Sequence, residues 1–396
     1  MPSNPPPSLA RLLTSFLRLG VTAFGGPSMV AYIRQLAVEK KRWLDAATFS
    51  NGVALCQMLP GATAMQTAAY VGLKTRGVLG ASASFIGFGL PAFVLMMTFA
   101  ALYTRTHNLP IVVSAFSGLQ AIIVAIVASA TLSFGRSTLK DWRYLVIAGM
   151  AAALFGLKVS PIIVILLAGA AGFALIRPRQ ADQPQHGASA QAPAEATSCL
   201  KPILLILAGA AVGFGLLFFL RRPLASLAAL MSRIDLFAFG GGFASVPLMF
   251  HEVVDVRKWM DGQTFMNGIV LGQVTPGPIV ITATFVGYLL GGPLGGVVAT
   301  LGILLPSFLM VVAISSYFDR LRTSPQFNKV IGGVLGSFVG LLFTVTIRFA
   351  TNVHWDWAHL VLAGGAFIAL LLSVDLLWVV LVGILASVVM FTWLGH

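Results

Sequence analysis

Charge is what this chain has least of. Of its 396 residues only 9% are Asp, Glu, Lys or Arg, against roughly 25% in an ordinary soluble domain, while 58% are hydrophobic. Too little polar surface is left to cover a water-soluble globule of this length, which excludes a soluble enzyme; the mean hydropathy of +0.92 agrees, and the solvent this composition fits is a lipid bilayer. Cysteine is almost missing, with Cys56 in an apolar stretch and Cys199 in a polar one, so no disulfide framework or thiolate metal site can be built. The 6 histidines are scattered, and neither a Walker loop nor a glycine fingerprint after a strand occurs. No metal, cofactor or enzymatic activity is expected. Acidic residues are scarcer than basic ones, 12 against 25, for a formal charge of +13. In a soluble protein that excess would point to nucleic acid. Here the basic residues sit in short loops between apolar runs, where they act as topology signals, with an anionic substrate as a second reason. Nucleic acid is not an expected partner; the bilayer is.

What the chain does contain is a repeat. Residues 43 to 61 read WLDAATFSNGVALCQMLPG and residues 259 to 277 read WMDGQTFMNGIVLGQVTPG, with 10 of 19 positions identical. The register extends to Phe24-Gly25-Gly26 against Phe239-Gly240-Gly241, and to Leu90-Pro91 against Leu305-Pro306. Four parts follow: an N-terminal repeat over 9–176, a cytoplasmic flexible linker over 177–201 rich in Pro, Ala, Gln and Ser, an extra apolar helix over 202–220, and a C-terminal repeat over 224–394. One unpaired spanning helix between two copies turns the second copy upside down. The charges support that inversion. Residues 34 to 45 carry Arg34, Lys40, Lys41 and Arg42 against Glu39 and Asp45, net +2, whereas 250 to 261 carry Arg257 and Lys258 against Glu252, Asp255 and Asp261, net −1. Likewise Lys74 and Arg76 mark a loop whose counterpart near Leu290 is uncharged, while Arg320, Arg322 and Lys329 answer the lone Arg105. The predicted class is an all-α polytopic membrane protein of two inverted-topology repeats, with full spans near 82–103, 111–132, 144–157, 161–176, 203–220, 296–318, 330–349, 358–373 and 376–394. The basic loops place the N-terminus and linker in the cytoplasm and the C-terminus outside.

Four segments read differently: 9–39, 46–73, 224–256 and 262–288 are each interrupted near the middle by Gly or Gly-Pro, as re-entrant or broken helices meeting near the midplane would be. The interruptions fall at Phe24-Gly25-Gly26-Pro27, at Gln57 to Gly61, at Phe239-Gly240-Gly241 and at Gln273 to Pro278. Pro fits the first turn of a helix and Gly tolerates backbone angles closed to other residues, so each break is expected to present the unpaired N–H groups and positive dipole end of a returning half-helix. From Phe49 to Leu59 is about ten rises of ~1.5 Å, roughly 15 Å, which reaches the middle of a ~30 Å hydrocarbon core. Irregular backbone at that depth is tolerated only facing protein or a water-filled cavity. Four such starts converging would bind an oxyanion without a buried lysine.

The candidate binding residues are Phe24, Gly25, Gly26, Pro27, Ser28, Gln57, Pro60, Gly61 and Thr63, with Phe239, Gly240, Gly241, Gln273, Thr275, Pro276, Gly277 and Pro278. The competing reading is that Gly-Pro pairs only kink or pack helices and that the polar side chains satisfy freed backbone groups. Glu39, Glu252 and Asp255, near the membrane boundary, are candidates for carrying coupling protons, against the alternative of interfacial ion pairs with Arg42 or Arg257. Asn51 and Asn267 are expected to bridge hairpin to neighbouring helix and Trp43 and Trp259 to anchor at the interface; Asp235 and Asp375 are lone carboxylates in apolar surroundings, Asp235 being a candidate functional group against the alternative that it snorkels beside Arg233.

The FGGP of the first half, the FGGG of the second, the W-[LM]-D-x-x-T-F spacer and the QMLPG and QVTPGP breaks resemble the chromate ion transporter family in its long, two-domain form. The resemblance implies secondary transport of chromate, a sulfate-like divalent oxyanion, outward across the bacterial inner membrane by a multi-pass protein, giving chromate resistance. It carries over to Phe24–Pro27, Gln57, Pro60 and Gly61, and to Phe239–Gly241, Gln273 and Pro276–Pro278. Ala62 departs from the Pro-Gly-Pro pattern that Pro278 keeps. Alternating access driven by a proton or counter-anion gradient is the expected mechanism; an oxyanion channel or a sulfate-type carrier of the same fold is the alternative, and a homodimer is an open possibility.

Overall fold

The computed structural model describes residues 7–24, 28–176, 196–315 and 324–393. Among these residues there is no strand. The helices are α1 (Leu9–Thr22), α2 (Ser28–Arg34), α3 (Ala46–Met58), α4 (Thr63–Thr106), α5 (Pro110–Thr138), α6 (Trp142–Gly156), α7 (Pro161–Leu175), α8 (Ala196–Leu220), α9 (Arg222–Phe237), α10 (Ser245–Phe250), α11 (Gly262–Val274), α12 (Thr282–Ile314), α13 (Pro325–Asn352), α14 (Trp357–Leu371) and α15 (Leu376–Trp393).

Local chemistry sets these boundaries. The Asp45 carboxylate accepts from the Thr48 N–H at 2.8 Å and starts α3; Asp261 does the same for α11 through Thr264 at 2.7 Å. Pro110, Pro161 and Pro325 open α5, α7 and α13, where a missing N–H costs nothing. Four helical stretches, 63–106, 110–138, 279–314 and 325–352, are long and apolar enough to cross a bilayer, and 142–156, 161–175, 204–220, 357–371 and 376–391 are shorter apolar helices. Large apolar side chains cover the outside: Leu205, Val212, Phe219 and Leu220 of α8 are 71–84% exposed. In water such a surface would aggregate; in lipid it needs no cover. The chain is an all-α polytopic membrane protein.

The two halves repeat their irregularities. α4 bends at Arg76 (φ −143°) and Gly77 (φ +63°), and α12 at Gly291 (φ −145°) and Gly292 (φ +61°). Wide turns of helix at 35–40 and 251–256 precede Arg42 and Lys258, both at φ +50°, and the Trp43 and Trp259 amides close onto Ala37 and Val253. Packing is reciprocal. α6 and α7 lie on α13 while α14 and α15 lie on α5; α1 packs on α4 as α9 packs on α12; and α4 meets α12 between them. α8 has no counterpart and lies against α9 and α12. The predicted spans all correspond to observed helices. The stretch around 316–323, the linker as far as 195 and residues 394–396 lie outside the described residues.

Candidate functional site

All three breaks whose backbone is described are real interruptions. At the first, Leu59 is extended (φ −87°, ψ 148°) and Gly61 takes φ +109° before α4 begins at Thr63. At the second, Gly240 and Gly241 sit at φ +91° and +92°. At the third, Thr275 and Pro278 are extended and Gly277 takes φ +127°. These positive φ values explain the glycines, because a side chain there is strained. The fourth break lies between Thr22 and Ser28; its Gly25, Gly26 and Pro27 fall outside the described residues.

The breaks are tied together across the two halves. Gly61 N–H donates to Ala238 O at 2.8 Å, and Gly277 N–H donates to Ala23 O at 3.1 Å. Each hairpin tip thus grips the residue preceding the other half's Phe-Gly-Gly. This differs from the expectation that every amide at a break is unpaired: the two most exposed by their glycines are spent on holding the breaks together. The first amides of α4 have no acceptor within their helix, whereas Ala244 N–H donates to Gly241 O at 3.1 Å and Ile281 N–H to Pro278 O at 3.0 Å. A Cβ on Gly241 would lie 3.5 Å from Thr63 Oγ1, and one on Gly242 would lie 3.0 Å from Ile279 Cγ2. The starts of α4, of the 242–244 turn and of the 279–281 turn therefore converge.

Side chains at the breaks divide into satisfied and unsatisfied. Ser28 Oγ donates to Phe24 O at 3.0 Å, and Thr275 Oγ1 donates to Gly272 O at 2.9 Å, so both serve local backbone. Phe24 and Phe239 are half-buried, whereas Pro60, Pro276 and Pro278 are buried. Gln57 is exposed while Gln273 is buried, so the paired glutamines are not equivalent. Gln273 Nε2 and Gln66 Oε1 are buried with no hydrogen-bond partner among the described residues. A buried amide donor left unmatched costs free energy unless a ligand or water meets it. Gln66 was not evident from the sequence; its Nε2 reaches back to Pro60 O at 2.6 Å, a contact signalled only by its position one turn into a helix that follows Pro-Gly.

Asp235 is fully buried and does not reach out beside Arg233. Its carboxylate accepts from Ser307 N–H and Ser307 Oγ, each at 2.7 Å, because the face of α9 that carries it packs on α12. Arg233 instead pairs with Glu252, which Arg257 approaches at 3.6 Å. Asp255 pairs with Arg348 and stands 3.5 Å from His251 Nδ1. Glu39 is exposed. Asn267 bridges helices as expected, accepting from Gln120 at 2.9 Å and donating to Tyr103 Oη at 3.1 Å. Arg257 lies over the Trp259 ring at 4.9 Å.

Fold and breaks together define a polytopic helical membrane protein whose broken helices meet in its interior. The model of the chromate transporter family matches residues 10–173 and again 225–388. The chain is 42% identical over 378 residues, 96% of its own length and 93% of the other's, to an uncharacterized transporter of Methanocaldococcus jannaschii. It is 30% identical to a chromate transport protein of Pseudomonas aeruginosa, covering 87% of this chain and 82% of that one, and 29% identical to one of Cupriavidus metallidurans, covering 87% and 83%. No solved structure matches. The chain belongs to the chromate transporter family.

Proposed function

We propose that the protein is a secondary carrier that exports chromate, or a sulfate-like divalent oxyanion, across the bacterial inner membrane by alternating access around the joined breaks, and so confers chromate resistance. The observation that carries this reading is the convergence of three half-helix starts beside the unpartnered, buried Gln273 amide. Helix N-termini and an amide donor suit a tetrahedral dianion, and such donors recognise charge and size more than the central atom. Family membership brings chromate; the curated relatives named chromate transport proteins carry the same reading.

Outward direction is supported by electrostatics. Moving one charge through 100 mV is worth about 2.3 kcal/mol, so each net negative charge leaving an inside-negative cell gains about that much per 100 mV. The inverted arrangement of the repeats, 9–176 and 224–394 around the helix within 202–220, is supported by the odd α8, the reciprocal packing and the opposite charge bias. The basic loops at 136–143 and 177–179 support an inside N-terminus and linker and an outside C-terminus. Rocking of one hairpin set against the other would expose the site to each side in turn, with the Gly61–Ala238 and Gly277–Ala23 bonds as the contacts to break and remake. The reading is of a carrier, with chromium leaving in the oxidation state in which it arrived.

Uptake of labelled chromate by everted vesicles, with sulfate as competitor and an imposed potential, tests it. Saturable, potential-dependent uptake that sulfate inhibits is expected. No uptake above empty vesicles would refute it, and flux that does not saturate would favour a channel.

A further inference from the structure

Among the described residues, Asp235 is the one buried carboxylate that the ion pairs do not absorb. Glu252 and Asp255 each have an arginine; Asp235, at 0% exposure, has only the Ser307 hydroxyl and amide. The elements packed around it supply no counter-charge. α12 carries Tyr288 as its sole titratable side chain, α10 and residues 59–62 carry none, and the described side chains of α8 carry none. On α9 itself Arg222 stands at the far end over Phe218, and Arg233 is taken by Glu252. Lys74, Arg76 and Arg105 of α4 form no ion pair with Asp235, nor does any other cation among the described residues.

Its position is as telling as its isolation. A Cβ on Gly61 would fall 1.7 Å from Ser307 Oγ and 3.0 Å from Asp235 Oδ1, so carboxylate and hydroxyl press directly on the first break. In the register that pairs Phe24 with Phe239 and Pro91 with Pro306, the matching positions are Gly20 and Ala92, and Gly277 meets only Ala92. The pair exists at one break of the two. Ionisable groups at membrane depth mark transport pathways and proton relays.

We propose that Asp235 is the proton-carrying group of the cycle: the Gly61 break, closed by Ser307 and Asp235 in the state described, opens to a dianion only while Asp235 is protonated, so one proton travels with each anion. This rests on the oxyanion reading above. An ionised Asp235 repels the dianion. On protonation the carboxyl O–H donates to Ser307 Oγ, whose own hydrogen is freed to turn toward the break. The proton comes from water on the loading side and returns to water on the release side; each turnover moves one dianion and one proton the same way, a net single negative charge, with no redox change.

The test uses full-length protein in liposomes with the potential clamped, labelled sulfate and chromate as separate probes, and an internal pH dye. Chromate's own protonation is common to all variants, and sulfate stays a dianion. The wild type is expected to acidify the lumen by one proton per sulfate and to slow roughly tenfold between about pH 6 and about pH 8, across the range where a proton carrier must load and release. Asp235→Asn, which keeps an acceptor for Ser307, is expected to lose the proton and to vary less than twofold with pH. Asp235→Glu is expected to keep the proton. Wild-type sulfate entry without acidification, or an unaltered proton count in Asp235→Asn, would overturn the role of Asp235. A wild type that moves neither anion overturns the oxyanion reading itself.

Discussion

At the residue scale, Gly61 and Gly277 combine a positive φ with close neighbours. Gly61→Ala sets a methyl against Ser307, and Gly277→Ala sets one 2.6 Å from Ala92 Cβ. Backbone strain and overpacking together cost about 2–6 kcal/mol, so each variant should melt well below wild type in detergent; an unchanged Tm in both would show that the breaks are looser than described. Asp45 offers a pH test outside the spans. The Thr48 N–H, then its hydroxyl, hold the carboxyl below its ordinary value. A depressed native value stabilises the fold above the ordinary carboxylate range, and that stabilisation disappears as pH falls through the lowered value. Acidification from about pH 6 to about pH 3 should therefore lower the Tm of wild type more than that of Asp45→Asn. Equal losses would mean that the cap contributes nothing to α3. Asp235 shows the limit of sequence at this scale. In sequence, a lone Asp two residues from an Arg is equally a functional group or one reaching for polar surroundings; only the packing of α9 on α12 brings Ser307 to it.

At the scale of elements, helix contacts depend on small residues. A Cβ on Gly340 would lie 2.2 Å from Ala148 O, and Gly172 and Gly333 approach so closely that a Cβ on either would strike the other's backbone at 2.7–2.9 Å. Membrane helices gain their stability from such close approach. Gly340→Ala should destabilise by about 1–3 kcal/mol, while Gly364→Ala, with nothing within 4 Å, should stay within about 0.5 kcal/mol. Thermal melts of the two in one detergent decide the matter, and similar losses would contradict the packing described. Spans and breaks were legible because their signals are local: long apolar runs, and Gly or Pro in mid-segment. The partners of the break amides were not. That Gly61 donates to Ala238, and Gly277 to Ala23, is a contact between halves, and periodicity carries no distance across a repeat.

At the scale of the whole molecule, duplication was legible from identical residues in register, and its reciprocal packing adds what identity cannot: each half completes the other's core through α5 and α13. If the repeats are inverted, single cysteines near residues 185 and 395 should be labelled from opposite sides of the membrane; same-side labelling would defeat the inversion. The central claim is that half-helix starts and the Gln273 amide hold a dianion where the breaks meet. Equilibrium binding of chromate to purified wild type and Gln273→Ala, with sulfate in competition, tests it most directly. Loss of one hydrogen bond to a charged ligand, about 2 kcal/mol, predicts about thirtyfold weaker binding for the variant. Equal affinity in the two proteins, or binding that sulfate leaves untouched, would contradict the site.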